Sequence, residues 1–160
     1  MKFIAIAAAA LAAATPAVAQ DNAAFTGARV EANVGVNDIL NSPDRNDVVY
    51  GAQLGFDAPV GNSVTVGVEA NTQNIFERNR QIGAAARVGY AFTPTTLGYV
   101  KAGYSNYRDV FSRELDGAVV GAGVEYKISR MTYLKGEYNY SDFARNTGSH
   151  SVLTGIGIRF

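Results

Sequence analysis

The chain has 160 residues, no cysteine, and 14 basic against 14 acidic side chains, for a formal net charge of zero. That balance argues against nucleic acid or an acidic substrate as partner. The lack of cysteine excludes a disulfide framework, so an exported domain of this size must draw its stability from a core, a metal or a membrane.

In chain order, the first element is a leader. Met1-Lys2 is a short positive region, Phe3 to Ala14 is an unbroken apolar run, and Thr15-Pro16 breaks any helix. Ala17-Val18-Ala19 places small residues where signal peptidase reads, which predicts a secretory signal peptide over 1–19, cut between Ala19 and Gln20. The apolar run is shorter than the roughly 20 residues of a spanning helix. The domain that follows, 20–160, carries 13 basic and 14 acidic residues, fits one domain, and contains no long apolar run. A spanning β-barrel escapes that last test, because only alternate residues meet lipid.

From residue 20 onward the pattern has period two. It predicts strands at 27–36, 48–57, 63–73, 81–92, 97–106, 117–128, 132–141 and 150–160. Turn signals separate them: Asn41 to Asp44, Asp57 to Asn62, Arg78 to Arg80, Thr93-Pro94, Arg108-Asp109, Ser129-Arg130 and Asn146 to Gly148. Eight evenly spaced strands predict an all-β fold, a barrel or a sandwich. Connections after strands one, three, five and seven are longer and polar, and those after two, four and six are short. An outer-membrane barrel has that asymmetry, with turns in the periplasm and loops outside.

The two faces differ sharply. No even-numbered position in these spans is charged, although 18% of the chain is. The odd-numbered face carries Arg29, Glu31, Glu69, Arg87, Lys101, Glu125, Lys127, Lys135, Glu137 and Arg159, interleaved with glycines. A soluble sandwich or barrel would bury the apolar face. Three observations favour the reverse, with charge inside and lipid outside. Aromatics bound the apolar face: Phe56, Tyr90, Phe92, Tyr126 and Phe160 at the short-turn ends, and Tyr50, Tyr104, Tyr138 and Tyr140 at the long-loop ends. Such belts suit the two membrane interfaces. The strand lengths match a tilted bilayer crossing. Finally, an eight-stranded interior is filled by side chains, so long cations fit only where neighbours are as small as glycine. The expected architecture is an eight-stranded antiparallel up-and-down transmembrane β-barrel. Its termini lie in the periplasm, and segments near 37–47, 74–80, 107–116 and 142–149 face outward.

With signal peptide, eight amphipathic strands and terminal aromatic strand, residues 20–160 resemble the OmpA/OmpX-type outer-membrane β-barrel family, the porin-family or surface-antigen barrels of Gram-negative bacteria. The resemblance implies a C-terminal strand read by the barrel-assembly machinery, and Ile156, Ile158 and Phe160 match that pattern. It also implies periplasmic chaperones during biogenesis, and outer-membrane lipid and lipopolysaccharide as surroundings. In contrast to full-length OmpA, the expectation here is a barrel without a peptidoglycan-binding domain.

Two readings of the lumen charges compete. In one they neutralise each other as a plug of buried salt bridges; in the other they line a narrow pore for small solutes. The narrow interior favours the plug. A third reading is a lipid-modifying hydrolase at the outer rim, which needs a histidine with a serine or acidic partner. The one histidine, His150, has Ser149 and Ser151 beside it, but adjacent strand residues point to opposite faces; Asp142 is its candidate partner across the last hairpin. A rim histidine with a merely polar role is the simpler account. No spacing suggests a metal, a cofactor or a catalytic set. Charged loops with apolar residues, Asp38 to Asp47, Tyr107 to Leu115 with Phe111, and Ile75-Phe76, are candidate contacts for a surface partner.

Overall fold

The structure, a computed structural model, describes residues 24–39, 46–74, 80–108, 114–143 and 147–160. The expected signal peptide with its cleavage point, Ile75-Phe76 and Phe111 lie outside the described residues, as do the side chains of Asp47 and Leu115.

Eight strands follow in chain order: β1 (Gly27–Ile39), β2 (Asn46–Val60), β3 (Val64–Gln73), β4 (Arg80–Thr93), β5 (Thr96–Arg108), β6 (Glu114–Lys127), β7 (Thr132–Phe143) and β8 (Thr147–Arg159). Each pairs antiparallel with the next. β8 returns to pair with β1 from Arg29↔Arg159 to Ile39↔Ser149, so the barrel closes and no edge is left. No helix among the described residues is long and apolar enough to cross a membrane.

The strands outrun the alternation that predicts them. β2 continues to Val60 rather than 57, β6 begins at Glu114 rather than 117, and β8 at Thr147 rather than 150. Ladder hydrogen bonds are made by the backbone whatever the side chain, whereas the apolar/polar rhythm marks only the stretch where one face is apolar. Rhythm therefore reports the apolar band, and the sheet extends beyond it. At the turn end the connections are tight: Gly61–Ser63, Pro94–Thr95 and Ile128–Met131.

The faces are inverted relative to a soluble protein. Val30, Leu54, Val68, Val88, Val100, Val120, Leu134 and Ile156 are exposed on the outside. Arg29, Glu31, Glu69, Arg87, Lys101, Glu125, Lys135, Glu137 and Arg159 are buried within. Because side chains alternate, a one-residue slip of any strand would carry its charges into the apolar belt, which fixes the register.

Candidate functional site

Among the described residues, the lumen holds five cations and five carboxylates joined in two closed circuits. The larger has six members: Arg29 pairs with Glu31, Glu31 with Lys135, Lys135 with Glu137 (3.4 Å), Glu137 with Lys101 (2.7 Å), Lys101 with Glu69 (2.7 Å), and Glu69 with Arg29 (2.7 Å). All six come from odd-numbered strands: β1, β3, β5 and β7. The smaller has four members, one from each even-numbered strand. Arg87 pairs with Asp57 (2.6 Å) and Glu125 (2.6 Å), and Arg159 pairs with the same two carboxylates at 3.0 Å each. Layers drawn from alternate strands are what a tilted barrel produces when its interior is packed. One ion pair, Arg29 Nε to Asp57 Oδ2 at 3.0 Å, links the circuits.

Two assignments from the sequence need correction. Asp57 is read there as the start of a turn, yet it is the hub of the smaller circuit and almost wholly buried. It accepts from Arg29 Nε (3.0 Å), Arg87 Nε (2.7 Å), Arg87 Nη2 (2.6 Å) and Arg159 Nη2 (3.0 Å). It also explains how Arg29 and Arg159 tolerate facing each other across the β1–β8 seam, since like charges directly opposite otherwise repel. Lys127, in contrast, joins neither circuit and makes no ion pair among the described residues; its Nζ lies 5.6 Å from the centre of the Phe25 ring. It shares the inward parity but stands at the turn end of β6, beyond reach of the carboxylates. Replacing Lys127 by Asp57 turns an expected six-to-four imbalance into five against five. Neutrality matters because an unpaired charge in a dry interior costs several kcal/mol.

Glycines and tyrosines complete the packing. A Cβ at Gly55 would fall 2.6 Å from the Arg29 guanidinium carbon, and one at Gly123 would fall 2.5 Å from the Tyr99 hydroxyl. The Tyr99 hydroxyl donates to Glu137 (2.5 Å) and that of Tyr133 to Glu31 (2.6 Å). Alternation on its own gives these tyrosines no partner; their lumen role needs the register. Toward the loop end the lining changes to amides and hydroxyls around a cavity of about 30 Å³. Asn33, Gln53, Ser105 and Asn139 each aim one unpartnered buried polar atom there, among the described residues. That volume holds about two water molecules.

On the outer face, Tyr90, Phe92, Tyr126 and Phe160 are exposed near the turn end and Phe56 is half-buried. Tyr90 and Phe92 make an edge-to-face pair with centroids 5.4 Å apart. Near the loop end, Tyr104 and Tyr138 are exposed, and Tyr50 and Tyr140 half-buried. Ile156, Ile158 and Phe160 all face outward. His150 shares the outer face with Tyr138, whose hydroxyl lies 2.5 Å from Nδ1, and its ring centre is 5.0 Å from that of Tyr140. The partner expected for it is displaced: Asp142 pairs in register with Gly148, and His150 with Tyr140. Ser149 points inward and donates to Asn37 (2.5 Å). Among the described residues no group of three or more His, Asp or Glu is placed to hold a metal.

Comparison with known proteins follows this geometry. Among solved structures, the barrel resembles Ail, the attachment invasion locus protein of Yersinia pestis, with 14% identity and a TM-score of 0.60, covering 83% of this chain and 97% of that one. It resembles neisserial surface protein A at 17% identity and a TM-score of 0.59, covering 83% and 97%. It likewise resembles the N-terminal barrel domain of Pseudomonas aeruginosa OprF, at 17% identity and a TM-score of 0.59, covering 82% and 97%. At these identities the likeness is one of fold. A search of curated protein sequences finds no match. The family comparison covers nearly the whole chain, residues 5–160, and with the inverted faces and closed sheet it identifies the chain as a member of the outer membrane protein beta-barrel domain family, a bacterial outer-membrane protein.

Proposed function

We propose that this protein is a structural and surface-interacting element of the outer membrane whose lumen is closed to solutes. The observation that carries the reading is the pair of fused ionic circuits, five cations against five carboxylates, spanning the lumen from all eight strands. Opening a path through them would separate charges already desolvated, and the cost would be several kcal/mol per ion. The small size of the cavity above them supports the same reading. In planar bilayers the purified barrel is expected to give no steady large single-channel openings. Regular openings of that kind would establish the small-solute pore instead.

A hydrolytic role finds little support. His150 is hydrogen-bonded to a tyrosine on the lipid-facing side, while Ser149 is turned inward to Asn37. Interaction at the cell surface is the more economical role. The strand ends there bear Asp38, Asn106, Asp116 and Asp142, with Asn106 donating to Asp116 at 2.7 Å. One fold-mate, Ail, is known in complex with the heparin analogue sucrose octasulfate. For the present chain, lipopolysaccharide or a surface partner at the outer loops is the corresponding proposal.

Assembly is a further part of the reading. Ile156, Ile158 and Phe160 form an exposed apolar edge on the last strand, the one that must pair with β1 to close the barrel. Deleting Phe160 is expected to lower the amount of heat-modifiable barrel in outer-membrane fractions while leaving total synthesis unchanged. Wild-type accumulation of the deleted protein would remove Phe160 from the assembly signal.

A further inference from the structure

Phe25 lies outside the sheet, before β1, yet it is fully buried. Its ring packs on Leu97 and Tyr99, with Ala24 and Ala91 against them. Lys127 Nζ and the Arg159 guanidinium carbon lie 5.6 and 5.9 Å from the ring centre, and the same Arg159 carbon lies 4.9 Å from the Tyr133 ring. Gly27, the first residue of β1, has φ 107°, which redirects the chain after Phe25; a side chain there would strike the Phe160 carbonyl oxygen.

Two features separate this from ordinary packing. The contacts come from β4, β5, β6 and β8, none of them β1, the strand that follows Phe25, so the pocket is assembled from four strands distant from it in the chain. In addition, Lys127 has no carboxylate partner among the described residues, and Arg159 Nε and Nη1 have no hydrogen-bond partner there. An aromatic face is the compensation on offer, through attraction of a cation to the ring. We infer that the periplasmic mouth of the barrel is a binding site for an aromatic side chain, occupied by the chain's own Phe25, which seals the four-membered circuit from periplasmic water. The lumen is then one-sided: the polar cavity lies beyond the circuits, and the apolar peg lies on the periplasmic side.

The absence of cysteine makes the test direct, because a single introduced thiol labels one place. Thr65 is buried beside the peg pocket: a Cβ on Gly89 would lie 2.6 Å from its hydroxyl and 3.1 Å from Leu97 Cδ1. In the folded barrel, Thr65→Cys is expected to resist a small membrane-impermeant methanethiosulfonate reagent. Adding Phe25→Ala is expected to speed its modification at least about tenfold, as local opening exposes the site. Ser105→Cys, beyond the circuits, serves as the reference and should keep its rate. Rapid labelling of Thr65→Cys with Phe25 in place, an unchanged rate in Phe25→Ala, or equal acceleration at Ser105→Cys would each overturn the inference. Should Phe25→Ala yield no heat-modifiable barrel, Phe25→Leu keeps apolar bulk without the ring face. It is expected to accelerate labelling partially, and a rate equal to that with Phe25 would show that aromaticity is not required.

Discussion

Asp57→Asn is expected to lower the unfolding free energy of the vesicle-embedded barrel by about 3–5 kcal/mol, the range seen when one member of a buried ionic set is removed. The substitution keeps the side-chain shape, so the loss reports charge rather than volume. Four guanidinium donors converge on the Asp57 carboxylate. With asparagine, Arg29 retains Glu31 and Glu69, but Arg87 and Arg159 are left to share Glu125. An amide also presents donors of its own toward donors. Urea titration followed by circular dichroism measures the effect, the chain having no tryptophan to follow by fluorescence. A sharper form adds Arg159→Gln, which restores equal numbers of charges in the lumen. Because both residues belong to one circuit, the double variant is expected to lose less than the two single losses combined. Strict additivity would mean that the circuit is not a unit.

Asp57 also shows where sequence reading stops. The strand faces were legible because the bilayer imposes a period-two rule over every crossing, and one charge on the wrong face is expensive there. Asp57 obeys the same odd-number parity as Arg29 and Glu69, but the Ala-Pro-Val-Gly-Asn that follows is a turn signal, and local chemistry outweighed parity. Lys127 errs in the opposite direction: parity sends it inward, but parity carries no information about height along the barrel, which decides whether a carboxylate is within reach. Which cation meets which carboxylate depends on the stagger of the strands, and that stagger is a property of the closed sheet. Glu69 and Lys101 meet across the lumen although they are 32 residues apart on strands that are not neighbours. Phe25 was beyond reach for another reason. It belongs to no strand, so no periodicity marks it, and its pocket is composed of residues from four separate hairpin arms.

The outward face admits an equally demanding test. Val100 is 60% exposed and pairs in register with Val88 and Ala122, between Phe92 and Tyr126 on one side and Tyr104 on the other. That position is close to the middle of the apolar belt. Val100→Arg is therefore expected to destabilise the barrel in lipid bilayers by about 2–4 kcal/mol, the cost of a cation near the bilayer midplane. Asn106→Arg, on the same strand and face but at the loop end beside Asp116, is expected to cost only about 0–1 kcal/mol, since the penalty falls away toward the interface. The contrast between the two sites carries the argument more than either value. An exposed valine on a water-facing sheet would accept arginine at both positions with similarly small effect. Equal costs at Val100 and Asn106 in the urea titration would thus remove the bilayer from the explanation of this face. A steep difference would mean that the same alternation which keeps charge off the even positions is set by lipid, with the neutral lumen as its necessary counterpart.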